Sequence, residues 1–449
     1  VKSIKNKIVY EENINEISGK SQAIVFPENS QELKNIIKLS EEDIVLRGNG
    51  TSFTGACIPK NSVVIDFSKM NRILKIDSVN KLAIVEPGVL LSDLNDELEY
   101  HNLEFPIQPI FSGIHTIGGM IAKNASGNRE IKYSRMLSWI DSIEVINGKG
   151  EQFKVPRSDL SDFVGMEGTT GAIILATLRL TGKKERSITI LKASTLTDVF
   201  IANRKLRLKQ DISSIDLMNP EISSFLGLEK KYHLFVEVES LEGTFKGENY
   251  EKFIRLKNKA YKKTAAEGFT YISNIKFLID SLQDFMVYLE EKKIPFFSHL
   301  ASGVIFPLFR KEDLGKMQEA MNFAKKMKGK IAYNFGIGLT KKDSLDPGEI
   351  ELIRRAKNRQ DPQWKMNADK LIDLKLSEKS RKEDDFKIKE TENELEKEIK
   401  ENPNEYEEQK TKEENLNKIN PPKKERQELT PDEREKIKKI AGGFFSGKK

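Results

Sequence analysis

Residues 47–55 read RGNGTSFTG, and no other stretch of the chain restricts its fold as tightly. They follow the apolar run Ile44-Val45-Leu46 and carry almost no side-chain bulk. Gly48 and Gly50 allow positive φ and close approach of the backbone to a ligand, and Asn49 is among the few other residues that tolerate the left-handed region. Successive N–H groups in such a loop form an anion-binding concavity, to which the hydroxyls of Thr51, Ser52 and Thr54 add donors. Arg47, Gly48, Asn49, Gly50, Thr51 and Ser52 are therefore the first candidate cofactor-binding residues. An ordinary strand-to-loop connection is the alternative.

Two familiar phosphate loops do not fit. A P-loop ends in Gly-Lys-Ser/Thr, whereas Gly50 is followed by Thr51-Ser52; a dinucleotide fingerprint needs a third glycine where Phe53 stands. The flanks do predict a β-α-β unit. Ala23 to Phe26 forms a strand ending at Pro27, Asn29 or Ser30 caps a helix with Leu33, Ile36, Ile37 and Leu39 on its apolar positions, and Ile44 to Arg47 is the next strand. Strands follow at Val63–Asp66, Ile73–Ile76 and Leu82–Val85, then a helix with Leu90, Leu91, Leu94 and Leu98 at helical spacing.

A second informative stretch is FPIQPIFSGIHTIGGMIAKNASGNREIKY, residues 105–133. Glycines at 113, 118, 119 and 127 leave a long backbone nearly bare, which suits close approach to a flat or extended ligand. A third is GMEGTTGAIILATLRL, residues 165–180, a glycine-rich turn running into a strand. Between them, Trp139 to Ile146 alternates as a strand does, and Asn147-Gly148-Lys149-Gly150 marks a hairpin turn.

Taken in order, these segments resemble the FAD-binding family that includes vanillyl-alcohol oxidase, glycolate oxidase large subunits and D-lactate dehydrogenases. RGNGTS is similar to the family's RGGGTS phosphate loop with Asn49 at the middle glycine. TIGGMIAKNASG resembles TIGG…NA(G/S)G, and GMEGTTGAIILATLRL resembles GSEGTLGIITEATLRL. The resemblance adds Thr116, Gly118, Gly119, Asn124, Ser126, Gly127, Tyr133, Glu167, Gly171 and Ile173 to the candidate FAD-binding residues. It implies an α+β chain: a two-subdomain PCMH-type FAD-binding domain over residues 1–182, an α/β cap or substrate domain over 183–335, and a return segment over 336–376. The return segment carries Gly336-Ile337-Gly338, Asp361-Pro362, Asn367 and Lys370.

In the cap, Leu234 to Val238 reads as a strand, Ile275 to Leu289 as helix-like, Ile294–Phe297 with Val304–Phe306 as a hairpin, and Lys311–Lys328 as a charged amphipathic helix. From Ser377 to Lys449 about half of the residues are charged and few are apolar, the composition of a disordered or single-helix tail. Its end, with Ile437, Ile440, Phe444 and Phe445, offers a small docking patch as an alternative to a plain solubilising role.

Composition limits the partners. The net charge of +6 comes from 75 basic and 69 acidic residues mixed along the chain, a solvated surface rather than a nucleic-acid site. No apolar run approaches the roughly 20 residues of a membrane span, and the N-terminus lacks a signal-peptide segment, so a cytoplasmic location is expected. With Cys57 as the sole cysteine, the chain cannot ligate an iron–sulfur cluster by itself. Any such electron-transfer relay belongs to a partner subunit.

The resemblance implies a small-molecule substrate, hydride transfer to FAD and an oxidoreductase acting on a 2-hydroxy acid such as glycolate or D-lactate. The phosphate loop has no histidine of the kind that tethers flavin in some relatives, so FAD is expected to be noncovalent. The 2-hydroxy-acid branch places a metal or substrate site on a His-x6-His segment and a Glu-His pair before GIG. Here His299 is kept, Phe306 stands at the second histidine, and Asn334-Phe335 replaces the pair. A lone imidazole does not hold a divalent cation, so no metal site of that type is expected. His299 is left as the catalytic candidate, base or donor, with a structural histidine as the alternative. The other functional reading is a flavin-binding electron-transfer or assembly subunit whose substrate site has decayed.

Overall fold

The computed structural model describes residues 7–13, 15–110, 112–331 and 333–373; the expectations for the tail lie outside these residues. The β-α-β unit forms as its sequence dictates. Asn29 accepts the Glu32 N–H and caps the helix Ser30–Leu39, which buries Leu33 and Ile37. The flanking strands Lys20–Val25 and Ile44–Arg47 both pair in parallel with Lys60–Asp66, which lies between them.

A five-stranded antiparallel sheet follows, in the order Ile73–Asp77, Leu82–Val85, Gly171–Arg179, Ile140–Asn147, Gln152–Val155. Helix Leu91–Glu99 lays Leu91, Leu94 and Leu98 into the core behind it. The bare segment is less open than its glycines suggest. Thr116 accepts the Gly119 N–H at 3.2 Å and caps a short helix, Ile117–Ala122, whose Ile117, Met120 and Ile121 are fully buried. Gly118 is required because a Cβ there would stand 2.7 Å from the Pro87 Cβ.

The third sheet is larger and antiparallel. Ser187–Ala193, Tyr232–Val238, Ile212–Met218, Phe296–His299 and Val304–Phe309 run side by side, with short strands at Tyr271–Ile272, Ile275–Lys276 and Lys330–Ile331 beyond. The hairpin expected around Phe297 and Phe306 is present, those two residues facing each other in register. The helix expected from Ile275 begins only at Ile279 and runs to Glu291. Ile275 and Lys276 pair with Ile305 and Val304 instead, and helical spacing of buried residues starts at Leu282, Phe285, Met286 and Leu289.

The chain then returns to its first sheet. The Ile44 N–H donates to the Lys365 carbonyl at 2.8 Å, and the Asn367 N–H donates to the Ile44 carbonyl at 2.7 Å. The Asn367 side chain also accepts the Leu46 N–H at 2.8 Å, so residues 365–367 brace the strand that feeds the glycine loop.

Candidate functional site

In the glycine loop Gly50 and Gly55 take positive φ, at 69° and 79°. Asn49 does not need its tolerance of that region: its side-chain amide donates to the Ile114 carbonyl at 3.0 Å and ties the loop to the segment beyond. Gly48 is required for space, since a Cβ there would meet Thr116 Oγ1 at 2.3 Å. The N–H groups of Asn49, Gly50 and Thr51 find no acceptor among the described residues, and all three residues line one cavity. Gly48, Ser52, Thr116, Gly119, Ser126, Glu167, Asn334, Phe335 and Asn367 line it too. A second cavity is bounded by Arg47, Gly118, Gly171 and Ile173 and shares Gly48, Thr116, Gly119 and Glu167 with the first. Together they make one extended site.

Glu167 closes that site against the return segment. Its carboxylate accepts the N–H groups of Ile337 at 2.6 Å and Gly338 at 2.9 Å, while its carbonyl accepts the Asn367 amide at 2.5 Å. Burial raises its pKa to about 6 against the pull of those two N–H donors. Lys123, also on the cavity wall, is lowered to about 8 by burial, with Glu167 opposing. Ser126 donates to Asn334 at 2.9 Å across the same space.

A separate cavity of about 390 Å³ adjoins the first along Pro109 and Ile110. His299 stands on its wall. Its Nδ1 lies 2.6 Å from Asp216 Oδ1, and the other carboxylate oxygen accepts Lys257 Nζ at 2.6 Å. Burial disfavours the Asp216 carboxylate, but Lys257 and His299 outweigh it and hold the group ionised well below the usual range. His299 Nε2, on the far side of the ring from that carboxylate, is buried without a partner among the described residues. Close by, Arg129 pairs with Glu237 at 2.7 Å, and Tyr250 and Ser213 also donate to Glu237. Arg129 Nη1 is likewise buried and unpartnered among the described residues.

Asp216, Lys257, Arg129 and Glu237 were not among the sequence-derived candidates. The one available signal is a carboxylate within each of the strands ISSIDLM and YHLFVEV, whose residues are otherwise mostly apolar or small.

Residues 21–156 match the FAD binding domain family. Similar proteins include the D-2-hydroxyglutarate dehydrogenase of Stutzerimonas stutzeri, 23% identical over 78% of this chain and 90% of the relative. The glycolate oxidase subunit GlcD of Bacillus subtilis is 33% identical over 40% of this chain, and the D-lactate dehydrogenase of Archaeoglobus fulgidus 35% identical over 35%. Residues 21–156 of this chain therefore carry an FAD binding domain. The matched stretches cover only 43% and 38% of the last two relatives. The solved structure of an alkyldihydroxyacetonephosphate synthase shares the fold, with a TM-score of 0.59 at 17% identity over 77% of this chain and 75% of that one.

The residues around the extended site fit FAD. The N–H groups of Asn49, Gly50 and Thr51 suit its phosphates, and the glycine walls leave room for a flat ring system. His115, which sequence reasoning passed over, lies on the same wall. Its Nε2 donates to the Ile110 carbonyl at 2.8 Å, and its Nδ1 sits 3.1 Å from the Thr51 hydroxyl. Burial, helped by Lys123, lowers its pKa to about 3 and keeps it neutral.

Three candidates from the FAD resemblance lie off these walls. Asn124 accepts the Leu137 N–H at 3.0 Å and shapes the turn after the short helix. A Cβ on Gly127 would meet the Gln108 carbonyl oxygen at 1.9 Å. Tyr133 donates to Glu239 and packs edge-on to Trp139. Phe306 stacks on Phe297 at 4.7 Å and lies 5.8 Å from Phe335.

Proposed function

We propose that this chain oxidises a 2-hydroxy acid, the class that includes glycolate and D-lactate, to the 2-oxo acid. The observation that carries this reading is the unpartnered Nε2 of His299, oriented by ionised Asp216 on a cavity beside the FAD site. Bound FAD supplies a two-electron acceptor for the hydride leaving the substrate's α-carbon. His299 Nε2 takes the hydroxyl proton, and Asp216 fixes the tautomer and stabilises the imidazolium that forms. Arg129 offers its free Nη1 to the substrate carboxylate. A His–Asp base replaces the metal-assisted route, which suits a site holding Phe306 and Asn334. The strands from Ser187 to Phe309 serve as the cap over FAD, and electrons leave to an external acceptor, a partner subunit included.

FAD binding is noncovalent in this reading. Both ring nitrogens of His115 are engaged, and the glycine loop carries no histidine.

The test is an anaerobic visible spectrum of the FAD-loaded protein before and after a panel of 2-hydroxy acids. Bleaching of the flavin band is expected. A bound flavin that no acid bleaches overturns this reading and selects a flavin-binding electron-transfer or assembly subunit, which the loss of the metal-ligand residues at Phe306 and Asn334 favours. Release of free FAD on acid precipitation checks the noncovalent attachment.

A further inference from the structure

The cavity beside His299 has room for more than glycolate or lactate. Its volume, about 390 Å³, falls within the range of about 300–1,000 Å³ typical of pockets for drug-sized ligands. Its lining is divided by chemistry. One part carries Arg129 and His299, each with a buried, unpartnered nitrogen. The other is built from Met218, Ile254, Ala260 and Phe297, with Tyr261 beside them. Met218, Ala260, Tyr261 and Phe297 are buried members of one hydrophobic cluster, and Ile254 packs against it.

We propose that this cavity selects 2-hydroxy acids whose side chain is bulky and apolar, aromatic or a medium alkyl chain, over glycolate and lactate. The inference rests on the proposed 2-hydroxy-acid reading and deepens it. Arg129 Nη1 pairs with the carboxylate and His299 Nε2 meets the hydroxyl, which leaves the substituent on the α-carbon to cover the apolar wall. A hydrogen or a methyl group there covers almost none of it. A phenyl or hexyl group removes the wall from water, and that apolar burial is the source of the selectivity. Two unpartnered nitrogens at the polar end fix the head group, so the tail has one direction in which to lie.

The experiment compares racemic 2-hydroxy-3-phenylpropanoate, 2-hydroxyoctanoate, lactate and glycolate as reductants of the FAD-loaded protein by anaerobic stopped flow. The expected result is an apparent second-order rate constant of flavin reduction by the phenyl or octyl acid at least about ten-fold above that for lactate. Equal or faster reduction by lactate or glycolate overturns the size selection and leaves the 2-hydroxy-acid reading standing. Reduction by none of the four overturns that reading itself. Binding is measured separately, by calorimetric titration with 3-phenylpropanoate and with acetate, neither of which can be oxidised at an α-hydroxyl. Saturable binding of the phenyl acid at concentrations where acetate gives no heat supports the proposal; no binding of the phenyl acid overturns it. In Ala260→Phe, a ring added to the apolar wall should cut the phenyl-to-lactate preference at least ten-fold, and an unchanged preference overturns the placement of the tail.

Discussion

Glu167 accepts the Gly338 N–H at 2.9 Å, and through that bond a turn near the middle of the chain holds a loop made 171 residues later. The buried carboxylate has a pKa raised to about 6, burial being the main cause. A carboxyl raised in the folded state binds its proton more tightly there than in the unfolded chain. Its contribution to stability is therefore complete below the ordinary value of 4.5 and is lost as pH rises through about 6. The shift corresponds to a swing on the order of 2 kcal/mol. Wild type minus Glu167→Gln stability, from urea titrations between pH 4 and 7.5, should fall with rising pH; a difference that grows with pH contradicts the assignment.

Gly48→Ala should impair cofactor retention more than folding. The new methyl displaces Thr116 Oγ1, which caps the helix Ile117–Ala122. A lost cap costs about 1 kcal/mol, but both residues also line the cavity proposed to hold FAD. The measurement is the flavin-to-protein absorbance ratio after gel filtration, expected to drop several-fold while the far-ultraviolet circular dichroism stays native.

His299→Gln should slow anaerobic flavin reduction by about 10² to 10⁴, the usual worth of a positioned base. Asp216→Asn removes the carboxylate from Nδ1 and from Lys257 and should cost a similar factor. Because the two act as a unit, the double variant should be little slower than either single one. Multiplicative losses would mean that His299 and Asp216 do not act as a pair.

Arg129→Met leaves the Glu237 carboxylate buried beside Tyr250 and Ser213 without its cation. Breaking a buried pair from one side costs about 3–5 kcal/mol, whereas replacing both partners with apolar residues is often neutral. Chemical denaturation should show Arg129→Met much less stable than wild type, with Arg129→Met/Glu237→Leu recovering most of the loss.

The glycine loop and its strands were legible because each depends on local rules: an apolar run, glycines at a turn, a capping Asn29. Helix Leu91–Glu99 was legible for the same reason, its leucines falling at helical spacing. The His299–Asp216 pair proposed for catalysis was only half legible. His299 stood out as a survivor of a motif, but Asp216 lies 83 residues earlier and meets it only because strands 212–218 and 296–299 pair with those two residues opposite each other. Register between distant antiparallel strands leaves no trace in either strand alone. Asn49 shows a subtler gap: its tolerance of positive φ was the visible property, while the amide bond to Ile114 is the one the fold uses.

The bracing of strand Ile44–Arg47 by residues 365–367 also orders events during synthesis. Asn334, Phe335 and Asn367 form walls of the same cavity as Gly48 and Thr51. A ribosome must therefore extrude almost all of the described chain before that cavity exists, although its first wall emerges early. The glycine loop waits, its strand lacking a neighbour on one edge, for a segment translated hundreds of codons later. Cofactor loading is then a closing act of biogenesis, and a nascent chain stalled before residue 334 holds an incomplete cradle.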